Sequence, residues 1–424
     1  MKRNSFIKSM TALPLVAQSV MLTDNLKEDW SLATKRDEPF WDKFRRQFHT
    51  DDTYLDFRCN AASSLPKAGI KHLLDELNHI EALPSARNPG LASGDKEPLR
   101  TQIAKVLNAD IGEVALLRNT TEALNTVIMG FPFDKGDEVI ACTHEYDSMI
   151  GSLHQQEIRK GITLKQIHIP YQPESAEQIV ECYRKAITPK TKMFLISHII
   201  WISGQIYPLK ELCELARQHG IYTVIDGAQS FSHIPTDVRE IGCDYFGSSL
   251  HKWAAAPLGT GFLYVKQQHI SKTMPLFGNY HYLPDDDNIE KFESLGTITP
   301  VFQSAARSLE LWEKLGAQVK GERMQELKEY WVRQVAENDN INILTNLESE
   351  HSCGIVFFSI NDKSATELAK VLKSEHNIIT QAIENYRNHY VDYKDVNAVG
   401  IATSVFNTKK QLDRLCNVLN EMAG

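Results

Sequence analysis

The stretch from Tyr222 to Val265 constrains this chain more than any other part of its sequence. Two short apolar runs end at chemically active side chains: the carboxylate Asp226 follows the first, and the pair His251-Lys252 follows the second. A third apolar run comes after the glycine-punctuated turn LGTG. Short continuous apolar runs bounded by turns are typical of buried strands. Ligands of parallel sheets bind beyond the carboxyl ends of the strands, so Asp226 and Lys252 are candidates for one site.

The same alternation of strands and helices extends from about residue 113 to residue 265. The predicted strands are Val114–Leu117, Glu138–Ala141, Thr163–Ile167, Met193–Ser197, Tyr222–Ile225, Tyr245–Ser248 and Gly261–Val265, with helices around 121–130, 148–160, 174–187 and 208–219. Short β-rich runs separated by amphipathic helices predict an α/β fold, with a mostly parallel seven-stranded sheet flanked by helices.

The flanking segments predict a second, smaller domain. Residues 66–108 are expected to form helices around a Pro- and Gly-rich loop, and 266–299 a lid or subunit contact without a clear element. One long amphipathic helix is predicted over 301–337, followed by strands and helices of an α+β domain. The predicted organisation is an export signal at 1–24, a segment at 25–60 packing with the small domain, a large domain at 61–299 and a small C-terminal domain at 300–424.

Composition narrows the class of protein. The chain has 424 residues, 42% of them hydrophobic and 24% charged, which is typical of an enzyme-sized globular protein with two or three domains. A net charge of −8 and the lack of a basic stripe with interleaved aromatics argue against a general nucleic-acid binder. The seven cysteines are dispersed and never spaced C-x-x-C, which predicts neither a disulfide framework nor a metal site.

The N-terminus predicts export. MKRNSFIKSM precedes an apolar run, TALPLVAQSVML, that is too short to span a bilayer but suits the core of a signal peptide. The segment RNSFIK resembles a twin-arginine signal in which Asn4 replaces the second arginine. We therefore expect a periplasmic protein with no membrane segment in its mature form. The alternative is a cytoplasmic protein with an amphipathic N-terminal arm.

Asp226 and Lys252 are the residue types that a pyridoxal phosphate site needs. A carboxylate at the end of an apolar strand costs free energy unless it is paired, and a cationic pyridinium nitrogen would pair it. Gln229 could reach the hydroxyl side of that ring. A lysine with a lowered pKa can form a Schiff base with a carbonyl cofactor, and Ser249 and His251 would then face the phosphate. Taken singly, Asp226 could instead cap a turn, and a His-Lys pair is usually solvated.

Two earlier strand ends supply further candidates. The helix after the segment RNTTE offers N–H groups and a positive dipole end to an anion. The hydroxyls of Thr120 and Thr121 could therefore bind a phosphate, although a plain capping box between Asn119 and Glu122 also explains the pattern. Tyr146 follows another predicted strand and could stack on a flat ring, with ordinary packing as the alternative.

In combination, the motifs DGAQ, SLHK and LGTGF resemble class V aminotransferases, the pyridoxal phosphate enzymes of fold type I. That family includes cysteine desulfurases, kynureninases and isopenicillin N epimerase-like enzymes, and the resemblance covers about residues 50–420. In this family a Gly-Thr pair in a long loop reaches the phosphate of the neighbouring subunit. Gly296-Thr297 matches that pair, so the resemblance implies a homodimer with shared sites.

The resemblance also implies a role for each candidate residue. Lys252 would be the Schiff-base lysine and proton carrier, Asp226 would pair with the pyridinium nitrogen, and Gln229 would contact the phenolic oxygen. Tyr146 would stack on the ring. The phosphate would be held by Thr120, Thr121, Ser249 and His251.

Three departures from the family pattern concern the substrate. Desulfurases carry a nucleophilic cysteine in the C-terminal domain, whereas no cysteine lies between Cys353 and Cys416 here, which disfavours that activity. Many relatives grip the substrate carboxylate with an arginine near the final strand. The matching position is Gly400, and Arg387 is a candidate substitute. Trp201 stands where desulfurases often have an asparagine.

These observations predict a pyridoxal phosphate enzyme acting on the amino group of an amino acid or a similar small metabolite. Amino transfer is the first expectation, and epimerisation or elimination are alternatives, because all of them begin with loss of the same proton. A cofactor-binding protein without turnover is disfavoured by the presence of both Asp226 and Lys252. A nicotinamide enzyme or serine hydrolase is disfavoured because neither G-x-G-x-x-G after an early strand nor G-x-S-x-G occurs.

Overall fold

The computed structural model describes residue 30 and residues 36–82, 96–295, 299–348, 350–387 and 392–424. The predicted export signal at 1–24 and the pair Gly296-Thr297 lie outside these residues, so export and the shared phosphate contact stay predictions. Within the described ranges, no helix is both long enough and apolar enough to cross a bilayer.

Strands and helices alternate through the middle of the chain. The strands are β1 (Leu55–Asp56), β2 (Val114–Leu117), β3 (Glu138–Cys142), β4 (Thr163–Ile167), β5 (Thr191–Ser197), β6 (Tyr222–Asp226), β7 (Tyr245–Ser249), β8 (Gly261–Val265), β9 (Ile341–Ile343), β10 (Ile355–Ile360), β11 (Ile378–Ile379), β12 (Gln381–Arg387) and β13 (Asp392–Ala402). The α-helices of the described residues are α1 (Glu38–Arg45), α2 (Lys67–Glu81), α3 (Glu97–Leu107), α4 (Thr120–Gly130), α5 (Asp147–Lys160), α6 (Ala176–Ala186), α7 (Leu209–Gln218), α8 (Val238–Ile241), α9 (Gln267–Ile270), α10 (Thr299–Leu315), α11 (Ala317–Val335), α12 (Ala365–His376) and α13 (Lys409–Ala423).

Strands β2 to β8 form one seven-stranded sheet in the order β2-β8-β7-β6-β5-β3-β4. β8 runs antiparallel to both of its neighbours, and every other pair is parallel. The interior strands β7 and β8 are buried along their whole length, as expected for a sheet covered by helices on both faces. The predicted α/β fold with a mostly parallel seven-stranded sheet is confirmed. The order also places the carboxyl ends of β3, β5, β6 and β7 side by side.

A smaller antiparallel sheet follows, in the order β12-β13-β10-β9. Its core is separate from that of the large sheet and includes Trp331, Phe358 and Leu412. The short strand β1 pairs in parallel with β11 through Leu55 and Ile378, which ties the N-terminal segment to this part of the fold.

The predicted single helix over 301–337 is wrong. The chain forms α10 and α11, which are separated at Gly316, where φ is +91°. This backbone conformation favours glycine, because a side chain would clash there. A glycine inside an amphipathic pattern is often tolerated in a continuous helix, so the pattern alone could not locate the break.

The predicted strand at 378–382 is also divided. β11 joins β1, and after Thr380 the chain enters β12, which pairs with β13 in the other sheet. The hairpin of β12 and β13 therefore extends well beyond the apolar run at 378–382 on which the prediction was based. This extension carries Tyr386 to the edge of the large domain, where it lines the cavity described next.

Candidate active site

A cavity of about 520 Å³ lies at the carboxyl ends of β5, β6 and β7. Residues of β12 in the small domain close its other side. Its lining includes the predicted site residues Thr120, Thr121, Tyr146, Trp201, Asp226, Gln229, Ser249, His251 and Lys252. The strand order thus brings together side chains from widely separated parts of the sequence.

Asp226 and Lys252 form the charged base of this cavity. Asp226 ends β6, and its Oδ1 accepts a hydrogen bond from the backbone N–H of Ala228 at 2.9 Å. Burial raises the pKa of the Asp226 carboxyl, while that N–H and the charge of Lys252 oppose the shift. Burial likewise lowers the pKa of the Lys252 amine, against the pull of Asp226. The lowered pKa increases the fraction of the neutral amine, which is the nucleophilic form.

A cradle of hydrogen-bond donors lies where α4 begins. The backbone N–H of Thr120 donates to Ser249 Oγ at 2.8 Å, and the two hydroxyl oxygens are 2.7 Å apart. Asn119 caps the helix by accepting the N–H of Glu122 at 2.8 Å. Thr121 is exposed beside this cluster. Backbone N–H groups and hydroxyls at a helix N-terminus are a typical binding site for a phosphate group.

His251 completes the cradle. Its Nδ1 is buried and has no hydrogen-bond partner among the described residues. Burial, reinforced by the charge of Lys252, lowers the pKa of His251 to about 4, so the imidazole is neutral near neutral pH. A neutral imidazole still carries one N–H that can donate to an anion. Buried polar atoms normally have a hydrogen-bond partner, and a phosphate group bound in the cradle would supply one for this nitrogen.

A buried hydrogen-bond network fixes Gln229. Its Nε2 donates to Asn60 O at 3.0 Å, and its Oε1 accepts from Trp253 Nε1 at 2.8 Å. The Trp253 ring stacks on His233 with centroids 3.5 Å apart, and His233 Nε2 accepts the N–H of Gly354 at 3.0 Å. Because Nε2 accepts, Nδ1 carries the proton and donates to Gln229 O at 2.8 Å. This network joins the cavity to the residue before β10.

Glu145, the residue before Tyr146, is fully buried next to the end of β5. Its oxygens accept from the backbone N–H of Ser197 at 3.1 Å and from the Ser197 hydroxyl. Ser197 is the residue paired with Asp226 across β5 and β6. Burial raises the pKa of Glu145 to about 7, with the two Ser197 donors opposing the shift. A carboxyl with a raised pKa therefore contacts the residue that pairs with Asp226 in the sheet.

Two aromatic side chains form one wall. Tyr146 and Trp201 meet edge to face, with ring centroids 5.9 Å apart and planes at 86°. Tyr146 is 42% exposed, so much of its ring is open to the space in front of it. An open aromatic face at this position suits stacking against a flat ligand ring.

Arg387, the predicted substitute for the arginine that is missing at Gly400, does not line the cavity. Arg387 ends β12 as an exposed residue and is not among the cavity-lining residues, whereas its neighbour Tyr386 is. Alternate residues of a strand point to opposite faces, so the two cannot share one direction. At Gly400, an added Cβ would lie 2.5 Å from the ring of Phe357. The position matched to a carboxylate-binding arginine therefore has no room for any side chain.

Several lining residues were not predicted: Asn60, Asp147, Gln381 and Tyr386. Tyr386 donates its hydroxyl proton to Asp147 Oδ2 at 2.9 Å, and Asn60 Nδ2 donates to Gln381 Oε1 at 2.8 Å. Each of these bonds joins residues more than 200 positions apart, which no local pattern reveals. Asp147 alone had a local signal, since it directly follows Tyr146.

Comparison with known proteins agrees with this geometry. The sequence profile of the class-V aminotransferase family matches residues 53–415. The chain is 25% identical to isopenicillin N epimerase of Streptomyces clavuligerus, over 91% of this chain and 98% of that protein. It is 30% identical to a probable cysteine desulfurase of Halalkalibacterium halodurans, over 78% of this chain and 83% of that protein.

Solved structures share the fold. A mutant of C-DES with glycine linked covalently to its pyridoxal phosphate cofactor superposes with a TM-score of 0.80 at 20% identity, over 89% of this chain and 99% of that chain. An apo cysteine desulfurase of Thermococcus onnurineus also gives a TM-score of 0.80, at 19% identity, over 92% of this chain and 99% of that chain.

A seven-stranded α/β fold with a buried carboxylate, a lysine and a phosphate cradle in one cavity defines a pyridoxal phosphate enzyme of fold type I. The chain belongs to the class-V aminotransferase family, and pyridoxal phosphate is its cofactor. The residues of the cavity fit that group. Thr120, Ser249 and His251 supply hydrogen-bonding groups for its phosphate. The buried Nδ1 of His251, which has no partner among the described residues, would gain one from that phosphate.

The Trp253→Phe substitution should weaken cofactor binding by about tenfold. It removes the donor to Gln229 Oε1 and leaves a buried acceptor unpaired, which costs about 1 to 3 kcal/mol and frees the amide that faces the cofactor. The measurement is the dissociation constant of pyridoxal phosphate, from absorbance after dialysis. Trp331→Phe, the same truncation in the small-domain core, should lower stability without changing that constant. Equal affinity changes in both variants would contradict the assignment.

Glu145→Gln should change how stability depends on pH. Burial raises the pKa of this carboxyl from 4.5 to about 7, so the folded protein holds the proton more tightly than the unfolded chain. The contribution of this protonated carboxyl to stability is fully present below the pKa that it has in the unfolded chain. That contribution is lost as pH rises through 7. The free energy of unfolding of the variant, relative to the native protein, should therefore rise by about 2 to 3 kcal/mol between about pH 5 and pH 8. Urea unfolding at several pH values measures it, and a pH-independent difference would contradict it.

Proposed function

We propose that this class-V enzyme transfers the amino group of a small primary amine, an amino acid or a similar metabolite, to a carbonyl acceptor. The observation that carries the proposal is the placement of Lys252 and Asp226 in one buried cavity beside a phosphate cradle. The family membership supports the cofactor chemistry but leaves the reaction open.

When bound, pyridoxal phosphate supplies a carbonyl that condenses with amines and an electron-withdrawing ring that makes the neighbouring carbon acidic. Asp226 would hold the ring nitrogen in its protonated form, because a buried carboxylate is stabilised by a cationic partner. Lys252 would yield its place to the substrate amine and then, as a neutral amine, remove the proton from the carbon that bears the nitrogen. The burial that lowers the pKa of Lys252 increases the fraction of the neutral amine, the form that can accept that proton.

A second candidate function is epimerisation or elimination. The near full-length likeness to a protein named isopenicillin N epimerase and to a structure of the cystine C-S lyase C-DES supports it about equally. The same proton removal by Lys252 begins each reaction. Return of the proton to the opposite face of the carbon epimerises it, and loss of a neighbouring group eliminates it, so the geometry of Lys252 alone does not select one outcome.

Sulfur transfer through a cysteine nucleophile is disfavoured. Six of the seven cysteines are buried, and none of the seven lines the cavity as the described residues define it. Burial also raises the pKa of the Cys353 thiol to about 12, which keeps it protonated and unreactive.

We also propose that the protein is a homodimer in which Gly296-Thr297 of one subunit reaches the phosphate in the other. The support is the family resemblance of the loop FESLGTITP. Light scattering measures the mass, and a monomer with full activity would contradict the proposal.

Lys252→Ala should abolish the visible absorbance of lysine-bound cofactor and lower turnover by at least about 100-fold, since both the covalent bond and the proton carrier are lost. Some cofactor should still bind through the phosphate cradle. Lys272→Ala, which removes an exposed lysine, should leave both properties unchanged. A colourless native protein that stays colourless with added pyridoxal phosphate would overturn the proposal.

The reaction is identified by its products. The yellow native enzyme is incubated in deuterated water with pools of amines and a keto acid. Conversion of the keto acid into an amino acid indicates amino transfer. Deuterium in an epimerised substrate indicates epimerisation, and released ammonia without amination of the keto acid indicates elimination.

A further inference from the structure

The turn that carries Lys252 is held in place by side chains of the two long helices α10 and α11. Three consecutive backbone carbonyls that follow Lys252 each accept a hydrogen bond from one of these side chains. The donors are Lys320 Nζ for the carbonyl of Trp253, Trp312 Nε1 at 2.7 Å for Ala254, and Ser308 Oγ at 3.0 Å for Ala255. The three bonds fix the backbone from which the Lys252 side chain leaves, because moving it would break them.

Lys320 also joins this turn to the turn that follows β6. Its Nζ donates to Ser232 Oγ at 3.0 Å, and Ser232 lies in the turn that begins after Asp226. The same amine lies 3.7 Å from the centroid of the Trp312 ring, and Lys320 as a whole is only 3% exposed. One buried amine therefore connects the two turns that carry the charged groups at the base of the cavity.

Both turns contain a residue other than glycine in the left-handed region of the backbone. The φ angle is +60° at Ser232 and +52° at Ala255. Side chains disfavour this conformation, so it persists where surrounding contacts hold it, commonly at functional sites. Here Lys320 binds the hydroxyl of Ser232, and Ser308 binds the carbonyl of Ala255. Without these contacts, each turn could relax and move the group that it carries.

The buried position of Lys320 is costly in itself. Burial lowers the pKa of its amine well below the usual range, and no carboxylate of the described residues opposes that shift. An apolar side chain of similar length would avoid the cost of burying a polar group. A neutral amine keeps two N–H groups, and Lys320 has two oxygen acceptors, on Trp253 and Ser232. The presence of a lysine is therefore explained by these two bonds.

We propose that Lys320 is a positioning residue for Lys252: by joining the turns after β6 and β7, it aims the Lys252 amine at the carbonyl of the cofactor. The inference rests on the proposed function, in which Lys252 forms the bond to the cofactor. Lys320 is not among the described residues that line the cavity, so it acts through the Lys252 turn. Misplacing a reacting group by about 1 Å can cost about 100-fold in rate, which sets the scale of the expected effect.

Lys320→Met tests the proposal, because it keeps a side chain of similar length and removes the donors. Pyridoxal phosphate is mixed with the full-length protein after dialysis has removed the cofactor, and the growth of visible absorbance reports the attack by Lys252. The rate constant should fall by about 10- to 100-fold. Lys328→Met is the matched control: this buried lysine of α11 donates to Ser352 Oγ at 2.6 Å, away from the Lys252 turn. It should leave the rate constant within about twofold of the native value.

A double-mutant cycle separates positioning from a general loosening of the site. Lys320→Met should raise the dissociation constant of pyridoxal phosphate about tenfold when Lys252 is present. In the Lys252→Ala background it should change that constant by less than about twofold, because the residue through which it acts is missing. Ser232→Ala, a milder change that removes one of the two acceptors, should lower the rate constant about fivefold.

An unchanged rate constant in Lys320→Met would overturn the inference, as would an unchanged one in Ser232→Ala if Lys320→Met does not fold. An equal loss in Lys328→Met, or an equal loss of affinity with and without Lys252, would also overturn it. In all of these cases the native protein still turns yellow, and the proposed function stands. A native protein that never forms lysine-bound cofactor overturns the proposed function itself, which distinguishes the two failures.

Discussion

The burial of Asp226 and Lys252 in one cavity is the constraint on which the rest of the site depends. Each group alone costs free energy in a buried position, and each opposes the pKa shift that burial imposes on the other. The large sheet reduces this cost because it places the ends of β6 and β7 next to each other, so that the two opposite charges interact. A bound pyridinium ring would complete the arrangement by giving Asp226 a cationic partner. The site is therefore built for a ligand that brings positive charge.

The small domain takes part in this site through contacts that cross the cavity. His233 accepts the N–H of Gly354 and stacks on Trp253, which in turn holds Gln229. Burial lowers the pKa of His233 to about 3, so the link stays neutral across the physiological range. Because the network is hydrogen-bonded at every member, a shift of the small domain would be felt at the cofactor. The network is therefore a direct physical link between the small domain and Gln229 in the cavity.

The fold of the large domain could be predicted from sequence because its strands are short, buried and bounded by turns. The strands predicted between 114 and 265 all occur within two residues of their expected ends. The failures lie where tertiary contacts override a local pattern. Gly316 divides a helix that its amphipathic pattern would continue, and after Thr380 the chain leaves one sheet for another. Neither event changes the periodicity of apolar residues, so neither has a local signal.

The active site also consists of one part that local sequence patterns predict and one part that tertiary contacts determine. Its base is made of side chains at strand ends, such as Asp226 and Ser249, whose positions follow from the sheet itself and are therefore visible as motifs. Its outer wall depends on the hydroxyl of Tyr386 reaching Asp147 from a hairpin of the other domain. The direction of Tyr386, and the displacement of Arg387 from the cavity, are set by the register of β12 on β13, where the pairing shifts between Glu384 and Tyr386. A one-residue change in that register would exchange the two side chains. The cofactor-facing residues are thus encoded locally, whereas the side chains that the small domain presents to the cavity depend on the register of one hairpin.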